Sequence, residues 1–171
     1  MRLRILPAAA ASVALVLVQP GFADAAADPS TTVTFTVTSG ALSMSVPASA
    51  ALGSGAPGTQ ISSPIGPVTV TDNRALLSAS WTVTVSETDF TNGSSTVAAT
   101  NAAYTVGAVT TTGTITATPT NVTLSNSSQV VVTGSAGVGD NTASWDPTVS
   151  VALPAAAISG AYTGTLTHSV A

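Results

Sequence analysis

The sequence predicts an all-β fold, a two-sheet antiparallel β-sandwich with about ten short strands. Three observations lead to this prediction. Apolar and hydroxyl side chains alternate with a period of two, which is typical of strands with one buried and one solvated face. Thr, Val and Ser are abundant while strong helix formers are scarce, and β-branched residues fit a pleated sheet better than a helix. Glycine- and asparagine-containing turns separate the alternating stretches.

The N-terminal residues have the pattern of a secretory leader. Two arginines precede an uninterrupted apolar run at 5–18, and a small-x-small site follows at 23–25. The run is shorter than the about 20 apolar residues that a membrane-spanning helix needs. We therefore expect residues 1–25 to be a signal peptide cleaved after Ala25, with cleavage after Ala27 as the second choice. Residues 26–171 would form a single secreted domain with no membrane span in the mature chain.

The strands follow in order along the mature chain. Residues 32–38 alternate without a fault, with Val33, Phe35 and Val37 on one face and threonines on the other. We predict ten strands, at 32–38, 42–46, 68–71, 81–85, 102–106, 114–118, 122–124, 129–133, 148–153 and 162–170. Residues 47–67, which are rich in Gly and Pro, should form a surface loop, and residues 92–93, 112–113 and 137–141 should form turns. No blade-length repeat is visible, which favours a sandwich that is Ig-like in architecture.

Composition excludes several classes of function. Charged residues make up 6% of the chain and there is no Cys, whereas soluble proteins average about 25% charged residues. No basic patch for nucleic acid and no thiol ligand for zinc, an iron–sulfur cluster or a disulfide can be built. After the leader, one Arg stands against six acids, a formal charge of −5. Uncharged Thr-rich strand edges also lack the Lys residues that usually prevent edge-to-edge pairing.

No motif in the sequence specifies a reaction, and we expect a protein that is not an enzyme and has no cofactor. The pattern G-x-G-x-x-G at 53–58 lacks the preceding strand and following helix of a dinucleotide site. His168 is the single histidine, and in a strand it would share the apolar face with Leu166 and Val170. That position favours a packed histidine over a catalytic base. A secreted hydrolase that uses His168 is the least favoured alternative.

Acidic residues offer two further alternatives. Glu87 with Asp89, or Asp72 with Asp146, could supply the two carboxylates of a glycoside hydrolase. Asp72 and Asp140 are each followed by an asparagine in a predicted turn, and oxygen ligands of this kind suit calcium. No loop has the dense acidic spacing of a dedicated site, so we expect no metal site.

The tryptophans offer two interpretations, as core anchors or as platforms on which sugar rings stack. Trp81 alternates in phase with Val83 and Val85, which favours the core. Trp145 precedes an Asp-Pro pair at the start of a predicted strand, and we expect it to be the more exposed of the two.

Two blocks of the sequence resemble the WxL domain of Gram-positive surface proteins. Residues 68–74 end in an Asp-x-Arg turn and lead into Trp81-Thr82-Val83, similar to the family's proximal Trp-x-Leu motif. Residues 154–167 resemble its closing strand, with Pro, Ala, Gly, Tyr and Gly at similar spacing. Val83 replaces the family's Leu, and His168-Ser169-Val170 stands where the family has its second Trp-x-Leu.

The resemblance implies a function at the cell surface. Members of the family are secreted, β-rich and attached noncovalently to the cell wall through peptidoglycan. We therefore expect an extracellular, cell-wall-associated protein that binds peptidoglycan or another envelope glycan. Further expected partners are other surface proteins or a second copy of the chain, as in a self-associating subunit of a surface layer or fibre. The glycan-binding residues expected from these motifs and from the aromatic residues are Trp81, Val83, Trp145, His168 and Val170.

Overall fold

The structure, a computed structural model, describes residues 30–171, so both expected leader cleavage sites lie outside the described residues. Residues Thr36–Ala171 form one compact unit. The described residues form eleven strands and one turn of 3₁₀ helix, Ala99–Asn101. The strands are β1 (Leu42–Ser45), β2 (Gln60–Pro64), β3 (Val68–Glu87), β4 (Phe90–Thr91), β5 (Thr96–Val97), β6 (Ala102–Thr105), β7 (Thr110–Pro119), β8 (Val122–Thr123), β9 (Gln129–Trp145), β10 (Thr148–Ala152) and β11 (Leu166–Val170).

The strands assemble into two main antiparallel sheets. The first has the order β1-β3-β9-β7, and β11 pairs with the second half of β3. The second has the order β2-β10-β6-β8, while β4 and β5 form a separate hairpin. The predicted all-β antiparallel sandwich is confirmed.

The core lies between the two sheets and is filled mainly by alternating valines. The predicted phase of Trp81 with Val83 and Val85 is confirmed, because all three side chains are buried. The indole of Trp81 lies flat against Gly134 of β9, where any Cβ would overlap the ring. Other buried members of the core are Val68, Val70, Val97, Ala102, Tyr104, Val106, Leu124, Val131, Val132, Ala143, Trp145, Val149 and Val151.

Strand β3 changes its inward phase in the middle. Even-numbered residues up to Asp72 are buried, and odd-numbered residues are buried from Ala79 onward. The register against β9 shifts between Asp72 and Leu76 and twice more before Trp81, as expected for bulges. Ala75 has a φ of 53°, which is in the left-handed region, and its neighbours Leu76 and Leu77 project into solvent.

An ion pair holds this bulge. The Arg74 side chain donates from Nε to Oδ1 of Asp72 at 2.8 Å and from Nη2 to Oδ2 at 2.9 Å. Nη2 also donates to the carbonyl oxygen of Ser80 at 2.8 Å, which spans the bulge. The guanidinium lowers the pKa of the buried Asp72 carboxyl below its usual range.

Several sequence-based predictions of local structure are wrong. The turn predicted at 112–113 lies within β7. Residues 32–38 form no strand and are exposed, because alternation defines a face but does not supply a neighbouring edge. The loop predicted at 47–67 contains β2, which pairs with β10. The turn predicted at 137–141 lies within β9, where its glycines accompany bulges instead of a chain reversal. In addition, the strand predicted at 162–170 begins only at Leu166.

Candidate functional site

A groove opens on the side of the sandwich where β2, β10 and β11 meet two loops, at 47–57 and 154–165. It consists of two adjoining cavities of about 710 and about 370 Å³, which share Ala50, Leu52, Thr163 and Gly164 as walls. We call these two cavities together the side groove. The larger cavity is lined mainly by apolar side chains, including Leu52, Ile61, Phe90, Val151, Leu153 and Tyr162. The smaller is lined by Pro47, Ile65, Val149, Leu166 and His168 among others.

Hydrogen bonds fix the loop that forms one wall of the groove. Thr163 and Thr91 exchange two backbone hydrogen bonds, at 2.9 and 3.0 Å. Thr165 accepts from the amide of Thr88 at 3.1 Å and donates its own amide to the Thr88 hydroxyl at 2.8 Å. The Tyr162 hydroxyl donates to the carbonyl oxygen of Ile158 at 3.1 Å. Two aromatic rings, Phe90 and Tyr162, therefore line a groove whose wall is tied to the end of β3 and to β4.

Glu87 is buried directly beneath this wall. Its side chain is 4% exposed, and its Oε1 atom has no hydrogen-bond partner among the described residues. Gly164 covers it so closely that a Cβ there would overlap Oε1 and lie 2.7 Å from a ring carbon of Phe90. Burial raises the pKa of Glu87 to about 7, because a desolvated carboxylate is unfavourable.

A series of hydrogen-bonded side chains crosses the core and ends at the smaller cavity. Trp145 Nε1 donates to the Tyr104 hydroxyl at 3.1 Å, and that hydroxyl lies 3.1 Å from His168 Nε2. Since indole N–H can only donate, the Tyr104 oxygen accepts from it, and we assign the hydroxyl hydrogen to an unprotonated Nε2. Burial lowers the pKa of His168 to about 4 and raises that of Tyr104 to about 12. Both groups are therefore neutral near pH 7.

The predicted glycan-binding residues do not lie together on the surface. Trp81 and Trp145 are 2% and 3% exposed, and Val83 is buried with them. Trp145 is therefore hardly more exposed than Trp81, because it ends β9 in the inward phase and its indole N–H bonds within the core. His168 and Val170 are half-buried on β11, in phase with Leu166.

Of the five predicted residues, His168 lines the side groove. Its hydrogen-bond partner is Tyr104, rather than the serine and carboxylate of a nucleophilic relay. Trp145 does not line the groove but is linked to His168 through the Tyr104 hydroxyl. Val83 pairs with Val170 across β3 and β11. The arrangement therefore offers a largely apolar groove without charged lining residues and with some hydroxyl groups in its lining.

The structure also shows the surroundings of the acidic residues that could have served as catalytic carboxylates or calcium ligands. Both carboxylate oxygens of Asp72 accept hydrogen bonds from Arg74, and the residue is fully buried, so its charge is already paired inside the protein. Asp89 accepts a hydrogen bond from the amide of Ala99 at 2.9 Å and so fixes the 3₁₀ turn. Among residues 30–171, no group of three or more His, Cys, Asp or Glu side chains could hold a metal ion.

Sequence reasoning missed most of the side groove. Phe90, Tyr162 and Leu52 lie on loops or on very short strands, where no periodic pattern identifies their neighbours. Tyr104 could have been found, because it alternates with Ala102 as an inward residue of β6. Its contact with His168 depends on the packing of two sheets and is not visible in either segment alone.

Comparisons with family models, curated proteins and solved structures gave no significant match. None of the helical structure within the described range is long and apolar enough to cross a membrane.

Proposed function

We propose that this chain is a secreted, noncatalytic protein of the cell envelope that binds peptidoglycan or another envelope glycan noncovalently through the side groove. The observation that supports this function is the groove of about 710 Å³ with Phe90 and Tyr162 in its lining. Sugar rings bind proteins by placing their apolar faces on aromatic rings, with hydroxyl groups at the rim. Ser54, Ser159 and Thr163 supply such hydroxyl groups here.

The WxL-like resemblance supports the same proposal through different residues from those first expected. Trp81 and Trp145 would act from inside the core, by supporting the strands that carry the groove. Trp145 bonds to Tyr104, and Tyr104 in turn bonds to His168 at the groove wall. In this proposal, His168 is the residue of the altered distal motif that faces the ligand.

The charge distribution predicts how binding responds to salt. Arg74, the one basic side chain among the described residues apart from the neutral His168, is paired with Asp72. Glycan binding should therefore depend on apolar contacts and neutral hydrogen bonds, which salt screens weakly. We expect affinity to change by less than about twofold between low salt and ~1 M salt, where charge-driven binding would be strongly screened.

Cosedimentation with insoluble peptidoglycan tests the proposal. Ala161 is exposed and lines the groove, so Ala161→Trp should fill the groove without removing core contacts. Ala152 is also exposed but lies on β10 outside the groove lining, and Ala152→Trp is its matched control. We expect binding to be lost in Ala161→Trp and retained in the control. A wild-type chain that stays in the supernatant, or equal binding by both variants, would contradict the proposal.

Self-association into a surface layer or fibre is a second candidate function. The observation that favours it is strand β7, an uncharged edge strand of ten residues. Exposed uncharged edges pair readily with other chains.

A further inference from the structure

Residues 32–38 have the pattern of a strand without a place in a sheet. Val33, Phe35 and Val37 are 82%, 88% and 72% exposed, although they alternate with threonines as the buried face of a strand would. The segment forms no strand within the described part of the chain. Three large apolar side chains in one row and in water form an apolar surface that is unfavourable unless it is covered.

Strand β7 is the matching acceptor. It is the last strand of the first sheet, and within residues 30–171 no strand pairs with its outer edge. Its ten residues include no charged side chain, and Pro119, which cannot donate, stands only at its end. Ile115 and Ala117 are half-buried toward the core while Thr114, Thr116 and Thr118 are exposed. This alternation matches that of residues 32–38, so apolar side chains would meet apolar ones and threonines would meet threonines.

We propose that residues 32–38 of one copy add as an edge strand to β7 of a second copy. This inference rests on the second candidate function, self-association, and is independent of glycan binding. Backbone hydrogen bonds to the free edge of β7 would supply affinity, as in other cases of strand addition. Val33, Phe35 and Val37 would pack beside Ile115 and Ala117 and extend the apolar face of the sheet.

The segment cannot reach β7 of its own chain. The amide of Gly40 donates to the carbonyl oxygen of Asn73 at 2.7 Å, which anchors the chain on the β1 side of β3. A strand beyond β7 lies four inter-strand spacings from that side, about 19 Å. Thr38 is two residues from Gly40, and two residues extend at most about 7 Å. A segment seated on β7 must therefore come from another molecule.

The donor segment and the acceptor edge are different surfaces of the same chain. A contact between different surfaces is heterologous, so each added copy presents a new free edge and a new free segment. Association should therefore continue in one direction as a filament.

Light scattering of the purified full chain over a range of concentrations tests this mode of association. Phe35→Asp should disable the donor segment, and Thr116→Lys should place a charge on the acceptor edge. Leu77→Asp is the matched control, because Leu77 is 85% exposed in the bulge of β3 and belongs to neither surface. We expect the wild type and Leu77→Asp to grow in mass with concentration. Phe35→Asp should need at least about tenfold higher concentration, since burying a Phe is worth more than 1.4 kcal/mol. Thr116→Lys should also need a higher concentration, because it places a charge where the added strand would lie.

Mixing the two impaired variants gives the decisive result. Phe35→Asp keeps an intact β7, and Thr116→Lys keeps an intact donor segment, so an equimolar mixture should form dimers that do not extend. Persistent association of Phe35→Asp, equal loss in Leu77→Asp, or a mixture that stays monomeric would overturn strand donation while self-association itself stands. A wild type that is monomeric at every concentration would overturn both.

Discussion

Two buried ionisable groups near the side groove should shift the stability of this fold in opposite directions as pH changes. Burial raises the pKa of Glu87 from 4.5 to about 7, and burial lowers the pKa of His168 from 6.5 to about 4. The residues lie on adjacent strands, where Glu87 pairs with Leu166, two residues before His168. Replacing either residue by glutamine removes its own titration, so that the pH dependence caused by the other residue can be measured.

The sign of each effect follows from which state holds the proton more tightly. The folded protein binds the Glu87 proton more tightly than the unfolded chain does, so the free energy of unfolding falls as pH rises from 4.5 to about 7. The folded protein binds the His168 proton more weakly, so the free energy of unfolding rises between pH 4 and 6.5. At about 1.4 kcal/mol per pKa unit, each effect is worth ~3 kcal/mol.

In the wild type the two effects nearly cancel. We expect the free energy of unfolding to vary by less than ~1 kcal/mol between pH 4.5 and 6.5, since the two slopes are equal and opposite there. Glu87→Gln should become more stable by ~3 kcal/mol as pH rises from 4 to 6.5, and His168→Gln should become less stable by a similar amount from pH 4.5 to 7. The double variant should again show a flat profile.

Urea unfolding followed by the fluorescence of Trp81 and Trp145 measures these differences, because both indoles are buried and unfolding exposes them. A flat profile for Glu87→Gln would mean that His168 titrates equally in both states. A flat profile for His168→Gln would mean the same of Glu87. Either result would refute the burial argument for the group concerned.

Three further substitutions test other contacts. Gly164→Ala should lower the free energy of unfolding by ~1–3 kcal/mol in urea, because its Cβ would overlap the buried carboxylate beneath the loop; wild-type stability would show that the loop can move aside. Tyr104→Phe should cost ~1–3 kcal/mol by leaving the indole N–H of Trp145 without its acceptor, and an unchanged urea midpoint would mean that another acceptor replaces it. Asp72→Asn should cost ~1 kcal/mol at pH 7 by weakening the pair with Arg74. That cost should shrink in acid, because a carboxyl with a lowered pKa stabilises the fold only while it is ionised, and this stabilisation is lost as pH falls through its pKa in the folded protein. A cost that does not change with pH would exclude the ion pair as its source.

Alternation was enough to predict the fold class and much of the core. In Trp81, Val83 and Val85 the period of two identifies the inward residues directly, since a strand in a sandwich has one buried face. The same pattern at 32–38 predicted a strand that the described structure does not contain. The difference is that residues 81–85 have neighbours on both sides, in β9 and β11, while residues 32–38 have none among the described strands.

The side groove could not be predicted in this way. Its lining comes from two loops and from the ends of distant strands, and loops have no period that relates one segment to another. The sequence offers Glu87 as a carboxylate partner of Asp89, but the burial of Glu87 depends on Gly164, which is far away in the sequence. Alternation predicts that His168 shares the apolar face of β11 with Leu166, as the structure shows, whereas its bond to Tyr104 requires the second sheet.

The change of phase in the middle of β3 constrains how the chain length can vary. Asp72 and Ala79 lie an odd number of positions apart, so regular alternation would place them on opposite faces, and the bulge is what turns both of them inward. Deleting a single residue between them would make the separation even, and Trp81 and the valines after it could then stay buried without a change of phase. Deleting two residues would restore an odd separation and would again require a bulge. Homologues that are one residue shorter here should therefore have a regular strand in place of the bulge.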